Sequence, residues 1–312
     1  MNNPKYTFLL PAYKACFFEE ALLSIKNQTY TNFVCIVSDD CSPEDLKSVF
    51  DKVCADDPRF SYRRNEQNIG GKNLVKHWNM LVNMCETEYL IMASDDDLYY
   101  KNYVEEIDRL TTKYPKVNIL NGRVQRIDSK GDVLIKGSLA EEYLDSIHFV
   151  YYYFRDIHCL QNHCYKTSAL KHFGGFVNFP QAWYSDDATN IIMSDAGCAN
   201  TSSVVFGFRC SNINISSITK EAIIIQKIQA TIAYNKWFLE FFDRNIKDNC
   251  KNELWLADTI LQMHSDRTRA MLNDLLTCLP PRQLMKCIKM LRREGLAVSC
   301  LLIYRYIKNR CC

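Results

Sequence analysis

Three short apolar runs, each closed by polar residues and separated by stretches of helical spacing, constrain this chain more than any other feature. They are Tyr6 to Leu10 before Pro11, Phe33 to Val37 before Asp39, and Tyr89 to Ala93 before Asp95. Runs of that length bounded by turn residues read as strands. Between them Ala21, Leu22 and Ile25, and then Leu74, Val75, Trp78, Leu81 and Val82, recur on one helical face. This βαβαβ alternation calls for a mostly parallel sheet with right-handed crossovers and flanking helices, and it brings ligands to the carboxyl ends of the strands. Pro11, Asp39, Asp40 and Asp95 to Asp97 all fall at those ends.

The later chain is less regular. Asn118 to Leu120 and Val124 to Ile127 are candidate strands, and Tyr143 to Phe154 fits either a helix or a strand. From about Thr219 the chain reads as helices: Ile223 to Phe242, Asn252 to His264, Asp266 to Leu276 and Arg282 to Arg293. With 312 residues the chain exceeds one ordinary domain, so the expected division is an α/β domain over 1–218 and a C-terminal helical region over 219–312.

A formal charge of +2 argues against a nucleic-acid partner, which requires a dominant basic face. The cations gather at the end, where Arg282, Lys286, Lys289, Arg292, Arg293, Arg305, Lys308 and Arg310 face the single acid Glu294. Leu284, Ile288 and Leu291 recur among them at helical spacing, and the 12 residues Leu296 to Ile307 form an apolar run. That run is shorter than the roughly 20 residues of a spanning helix. The pattern fits either peripheral contact with an anionic membrane or a helix packed on protein. The opening MNNPKYTFLLPAYK has no charged leader followed by a long apolar stretch, so the expected location is the cytoplasm or the cytoplasmic face of the membrane. The 15 cysteines contain no CxxC pair, and His158, Cys159, His163 and Cys164, the nearest approach to a metal cluster, read as core packing.

Four segments carry candidate chemistry. In YLIMASDDDLYY, three adjacent carboxylates after a strand repel one another unless a cation neutralises them, which suits Mg²⁺ or Mn²⁺; alone, the run is equally an acidic loop or a cap. Asp39 and Asp40 can accept hydrogen bonds from a base or ribose, or can cap a helix beginning near Pro43. In NEQNIGGKN, Gly70 and Gly71 permit close backbone approach and Lys72 can reach a phosphate, although neither Walker nor GxGxxG spacing is present. Gly174-Gly175-Phe176 and Trp183-Tyr184-Ser185-Asp186-Asp187 precede the apolar stretch Ile191 to Met193, so these acids open a helix as caps or as a general base.

In order, Pro11-Ala12-Tyr13, Gln28-Thr29-Tyr30 with Asn32-Phe33, Asp39-Asp40-Cys41-Ser42, Asn68-Ile69-Gly70, Ser94-Asp95-Asp96-Asp97, Gly174-Gly175-Phe176 and Ser185-Asp186-Asp187 resemble the family 2 glycosyltransferases of the GT-A fold. The resemblance covers roughly 5–216 and is closest to bacterial members that build surface polysaccharides; Phe208 to Ser216 looks like their R.S..NIS segment. It implies inverting transfer of a sugar from a nucleotide-diphosphate donor, a UDP-sugar first, to a hydroxyl of a saccharide or lipid-linked acceptor, with Mn²⁺ or Mg²⁺. Pro11, Ala12, Tyr13, Asp39, Asp40, Asn68, Gly70, Lys72, Asp95 and Arg209 are then expected at the donor. Asp95 would meet ribose or metal, and Asp96 and Asp97 would ligate metal directly. The family's acidic run usually begins one acid earlier, where this chain has Ala93, so the register is open. The base is Asp186, aligned with the second acid of the family's Glu-Asp pair, or Asp187 after a one-residue slide. Two rivals are a silent nucleotide-sugar binding protein and a sugar-1-phosphate nucleotidyltransferase; the latter needs a Gly-rich loop where PAYKACFFEE stands.

Overall fold

The structure, a computed structural model, describes residues 3–211, 219–247, 249–250 and 253–296. The first half follows the expected alternation: β1 (Tyr6–Ala12), α1 (Phe18–Lys26), β2 (Phe33–Asp39), α2 (Leu46–Cys54), β3 (Phe60–Arg64), α3 (Leu74–Met84) and β4 (Tyr89–Met92). Asp45 caps α2 by accepting from Ser48 N at 3.1 Å, and Asn73 caps α3 by accepting from Lys76 N at 2.9 Å, satisfying amides that the helices leave open. The second half comprises β5 (Leu98–Tyr99), α4 (Tyr103–Lys113), β6 (Ile119–Ile127), β7 (Val133–Lys136), β8 (Tyr143–Leu144), α5 (Ser146–Tyr153), β9 (His163–Lys166), α6 (Thr167–His172), α7 (Ser185–Met193) and β10 (Cys198–Arg209). The two candidate strands near 118–127 are one strand, β6, and the ambiguous aromatic stretch divides into β8 and α5.

The sheet order is β3-β2-β1-β4-β9-β6-β10-β5, with β7 beside β6 and β8 beside β10. β1, β2, β3 and β4 pair in parallel, as do β6 and β10. β9 runs antiparallel between β4 and β6, a placement that four residues, HCYK, do not announce. Phe8, Phe33, Tyr99 and Tyr103 meet edge-on beneath this sheet, adding directional ring contacts to the area they bury. The thiols of Cys35, Cys54, Cys164 and Cys198 are buried and form no disulfide, and they fill space in the core.

The described chain forms two compact units, one of residues up to Asn178 with Thr189–Ser211, the other of Phe179–Ala188 with the C-terminal helices. The expected boundary near 218, and Asn212 to Ser216 of the R.S..NIS-like stretch, lie outside the described residues. The second unit contains α8 (Glu221–Asn245), α9 (Leu254–Thr277) and α10 (Pro281–Arg293). The helices expected over 252–264 and 266–276 are the single helix α9. Leu284, Ile288 and Leu291 of α10 are buried with Ile224, Ile228, Leu272 and Leu276. The apolar face considered for a membrane is thus covered by protein, because three amphipathic helices bury more apolar area against one another than any could alone. Arg282, Lys286, Lys289 and Arg293 remain exposed, and the apolar run after Leu296 lies outside the described residues. No helix among the described residues is long and apolar enough to cross a membrane.

Candidate active site

The acidic run after β4 meets the end of β1. Asp95 Oδ2 accepts from the amides of Tyr13 and Lys14, each at 2.7 Å, which uses two donors that β1 leaves open as it ends. Lys14 Nζ lies 2.8 Å from Asp96 Oδ2 and 3.7 Å from Asp95 Oδ1. Burial works against this ammonium, but the Asp95 and Asp96 charges prevail and raise its pKa above the ordinary lysine value. Asp97 is turned inward: Oδ2 accepts from Ser94 Oγ at 2.5 Å and Oδ1 from Arg209 N at 2.8 Å. Burial first, then the Asp96 charge, pushes the Asp97 carboxyl up to about 8.

Arg209 does not present its guanidinium as a free donor-site group. The side chain is fully buried, with Nε donating to Asp96 O at 2.9 Å, Nη1 to Ser129 O at 3.0 Å and Nη2 to Glu20 Oε2 at 2.7 Å. It lies over the Phe17 ring at 4.2 Å, a cation–π contact. Its work is to fix the backbone of the acidic run from a strand more than a hundred residues away.

The end of β2 has a similar division of labour. Asp39, wholly buried, accepts from Ser42 N at 2.8 Å through Oδ1, and from Tyr62 Oη at 2.6 Å and Arg64 Nη1 through Oδ2. Cys41, in the left-handed region at φ 56°, makes the turn that returns Ser42 to Asp39. Asp40 anchors the Gly-containing loop: Oδ1 accepts from Asn65 Nδ2 at 2.8 Å and Ile69 N at 2.9 Å, and Oδ2 from Gly70 N at 2.6 Å. A Cβ on Gly70 would stand 2.8 Å from Asp40 Oδ2, so the close approach requires glycine. Asn68 Oδ1 closes the same loop on Gly71 N at 2.5 Å, while Lys72 is exposed with Gln67 Oε1 at 3.3 Å. Beside these strand ends an open cavity of about 430 Å³ is lined by Ser42, Pro43, Glu44, Lys47, Tyr62 and Arg64 among others.

The residue pattern makes Asp95, Asp96 and Asp97 the candidate metal ligands. Among the described residues no three His, Cys, Asp or Glu side chains gather around one point. Asp95 Oδ1 and Asp96 Oδ2 already share a cation, the Lys14 ammonium, and Mg²⁺ or Mn²⁺ commonly takes one or two carboxylates and completes its shell with water and phosphate oxygens. The donor set therefore fits such an ion at Asp95 and Asp96, with Asp97 bracing the loop.

In the second unit, Phe179–Ala188 packs on α8 and α9. Tyr184 stacks on Tyr234 with centroids 4.4 Å apart and planes 2° apart, and Lys227 Nζ lies 4.5 Å from the Trp183 ring centroid. Gln181, Ala182 and Tyr184 have left-handed φ values of 59°, 53° and 67°, costing about 1 kcal/mol or more each and held by this packing. The segment then delivers Asp186 and Asp187 to the first turn of α7, where the helix dipole favours negative charge. Asp187 pairs with Arg267 at 3.5 Å. Burial, then the neighbouring Asp187 charge, raises the Asp186 carboxyl to about 7; burial also raises Asp187, with Arg267 pulling it back.

Lys14, Tyr62, Arg64, Asn65, Tyr234 and Arg267 are absent from the residues picked out by sequence motif. Only the Arg63-Arg64 end of a polar strand and the cation directly after Pro11-Ala12-Tyr13 offered a local signal.

A model of the family described as glycosyl transferase family 2 matches residues 7–165. A GalNAc(5)-diNAcBac-PP-undecaprenol beta-1,3-glucosyltransferase of Campylobacter jejuni is 34% identical over 95 residues, 30% of this chain and 30% of that protein. An uncharacterized glycosyltransferase of Rickettsia bellii is 28% identical over 140 residues, 43% of this chain and 19% of the relative. The match thus spans less than a third of either relative's length. Among solved structures, S. aureus TarS 1-349 in complex with UDP-GlcNAc aligns with a TM-score of 0.58 at 14% identity, covering 95% of this chain and 93% of that one. Mannosyltransferase PcManGT from Pyrobaculum calidifontis, in complex with GDP-Man and Mn²⁺, aligns at 0.56 with 15% identity, covering 100% and 81%. At such identities the likeness establishes the fold. The family match runs from β1 into β9 and takes in the acids that close β2 and β4, and on it the chain belongs to glycosyl transferase family 2, in the GT-A fold.

Proposed function

We propose that this glycosyltransferase moves a sugar, with inversion, from a nucleotide-diphosphate donor, a UDP-sugar first, to a hydroxyl of a saccharide or lipid-linked saccharide, and serves surface polysaccharide synthesis. The observation that carries the reading is the pair Asp95 and Asp96, held against the end of β1 around a cation. Mn²⁺ or Mg²⁺ bound there would neutralise the diphosphate as it leaves. Pro11, Ala12, Tyr13 and Asp39 would form the nucleoside end, and Ser42, Tyr62 and Arg64, which hold Asp39, line the open cavity next to it. Asp40 shapes the loop of Asn68 and Gly70 that offers Lys72 to phosphate. The acceptor oxygen bonds to the anomeric carbon as the bond to the diphosphate breaks, and Asp186 takes the acceptor proton. Asp187, paired with Arg267, adds a charge beside Asp186 that raises its carboxyl and so its basicity. UDP-GlcNAc and GDP-Man, bound by the TarS and PcManGT structures, belong in the first donor panel. With Mn²⁺, one of the UDP-, GDP- or dTDP-sugars should raise the melting temperature and release nucleotide, and EDTA should abolish both effects. Failure of every donor to bind with Mn²⁺ would remove this reading.

The exposed stripe Arg282, Lys286, Lys289 and Arg293 is the surface we propose for peripheral contact with an anionic membrane, each cation near the surface being worth about 1 kcal/mol. Changing all four to Glu in the full chain should eliminate co-flotation with phosphatidylserine vesicles. Equal recovery of variant and parent would refute the contact.

A further inference from the structure

We propose that Lys14 is a built-in counter-cation that excludes the metal from Asp95 and Asp96 until a nucleoside diphosphate draws it away, making metal and donor binding mutually dependent. This rests on the metal site proposed above.

Three observations lead there. Asp95 Oδ2 already accepts two backbone amides, so Oδ1 is the oxygen left for a cation, and the Lys14 ammonium faces it at 3.7 Å. The same ammonium makes its short contact, 2.8 Å, with Asp96 Oδ2. A metal at these two carboxylates therefore competes with Lys14 for the same oxygens. The Lys14 amide is fastened to Asp95, whereas its side chain is a quarter exposed, so the side chain can swing without moving the loop.

Moving the ammonium off both carboxylates without a replacement leaves a positive charge in a partly buried site, which is costly. A diphosphate supplies the replacement, since its oxygens accept from Lys14 while Asp95 and Asp96 become free for a divalent ion that the same oxygens also ligate. Each ligand then removes the obstacle to the other. The coupling is reciprocal, so whatever factor the diphosphate adds to metal affinity, the metal adds to diphosphate affinity.

The test measures free Mn²⁺ by its paramagnetic resonance signal, in titrations of the full chain with MnCl₂ alone, with UDP and with GDP. Lys14→Met should bind Mn²⁺ on the order of 10-fold more tightly than the parent without nucleotide, and should lose most of the parent's gain on adding nucleotide. Lys14→Arg, which retains the cation, should stay near the parent. Without metal Lys14→Met should melt lower than the parent, and saturating MnCl₂ should restore it, because binding to the folded state stabilises it. A residue that merely supports the fold would not tighten metal binding when removed. Unchanged or weaker Mn²⁺ affinity of folded Lys14→Met without nucleotide overturns the proposal alone. Absence of Mn²⁺ binding to the parent with either nucleotide would instead sink the metal site itself.

Discussion

Asp186→Asn should lower turnover by about 10² to 10⁴-fold, the range for loss of a general base, while leaving Mn²⁺ and donor affinity nearly unchanged. The carboxyl stands in the first turn of α7, half-buried, with Asp187 beside it and Arg267 holding Asp187. Burial and the adjacent charge lift Asp186 to about 7, which places its basicity near the working pH. The base must be ionised, so kcat of the parent should fall as pH drops through about 7, and this limb should vanish in Asp186→Asn. Stability has the opposite trend for this group. Its folded pKa lies above the ordinary carboxylate value, so between about 4 and 7 the folded chain holds the extra proton and the contribution to stability declines as pH rises. Asp187→Asn should lower the apparent pKa of the activity limb and reduce turnover less. Near-normal turnover of both variants on the true acceptor would place the base elsewhere.

The second large effect belongs to Asp96. Asp96→Asn removes the carboxylate closest to the bound ammonium and, for a metal held by Asp95 and Asp96, half of the protein's share of the site. Mn²⁺ affinity in the presence of nucleotide should fall by more than about 100-fold, the upper end for residues that only support a ligand. Asp97→Asn offers the contrast. Its oxygens already accept from Ser94 and Arg209, and an amide oxygen can still accept from the Arg209 amide, so Mn²⁺ affinity should change little. Equal losses in the two variants, with both folded by thermal melt, would restore a three-carboxylate site.

Patterns that act over a few residues were legible in the chain itself. An apolar run followed by Pro11, Asp39 or Asp95 sets a strand, although β1 continues through Pro11 to Ala12 and β2 takes in Asp39, and the spacing of Leu74, Val75, Trp78, Leu81 and Val82 sets a helix face, because both follow from local side-chain direction. The positions of the strand-end acids came with them; Gly174 and Gly175 stood in the sequence only as part of a motif, and their φ values of 89° and 87° emerged with the structure. The polar edge strand β3 and the short inserted strand β9 carry too little periodicity to be read this way.

The tasks of individual acids were decided only by tertiary structure. Asp39 and Asp40 are neighbours of the same type, yet one is held by Tyr62 and Arg64 and the other by the loop at Ile69 and Gly70. Asp95, Asp96 and Asp97 differ likewise through Lys14 from β1's end and Arg209 from β10, partners 82 and 112 residues distant. A carboxylate's role depends on which donors and charges surround it in a medium of low dielectric, and those neighbours arrive from remote segments. The same holds for α10, whose amphipathic spacing fixed that it would bury one face, while packing against Ile224, Ile228 and Leu272 determined what that face would meet. Sequence thus determined the elements and where charge would stand at their ends, through interactions among near neighbours. Tertiary structure determined which carboxylate meets an ammonium, which is raised by burial beside a second acid and which is held by backbone donors, because each rests on contacts that exist only once distant strands and helices have packed.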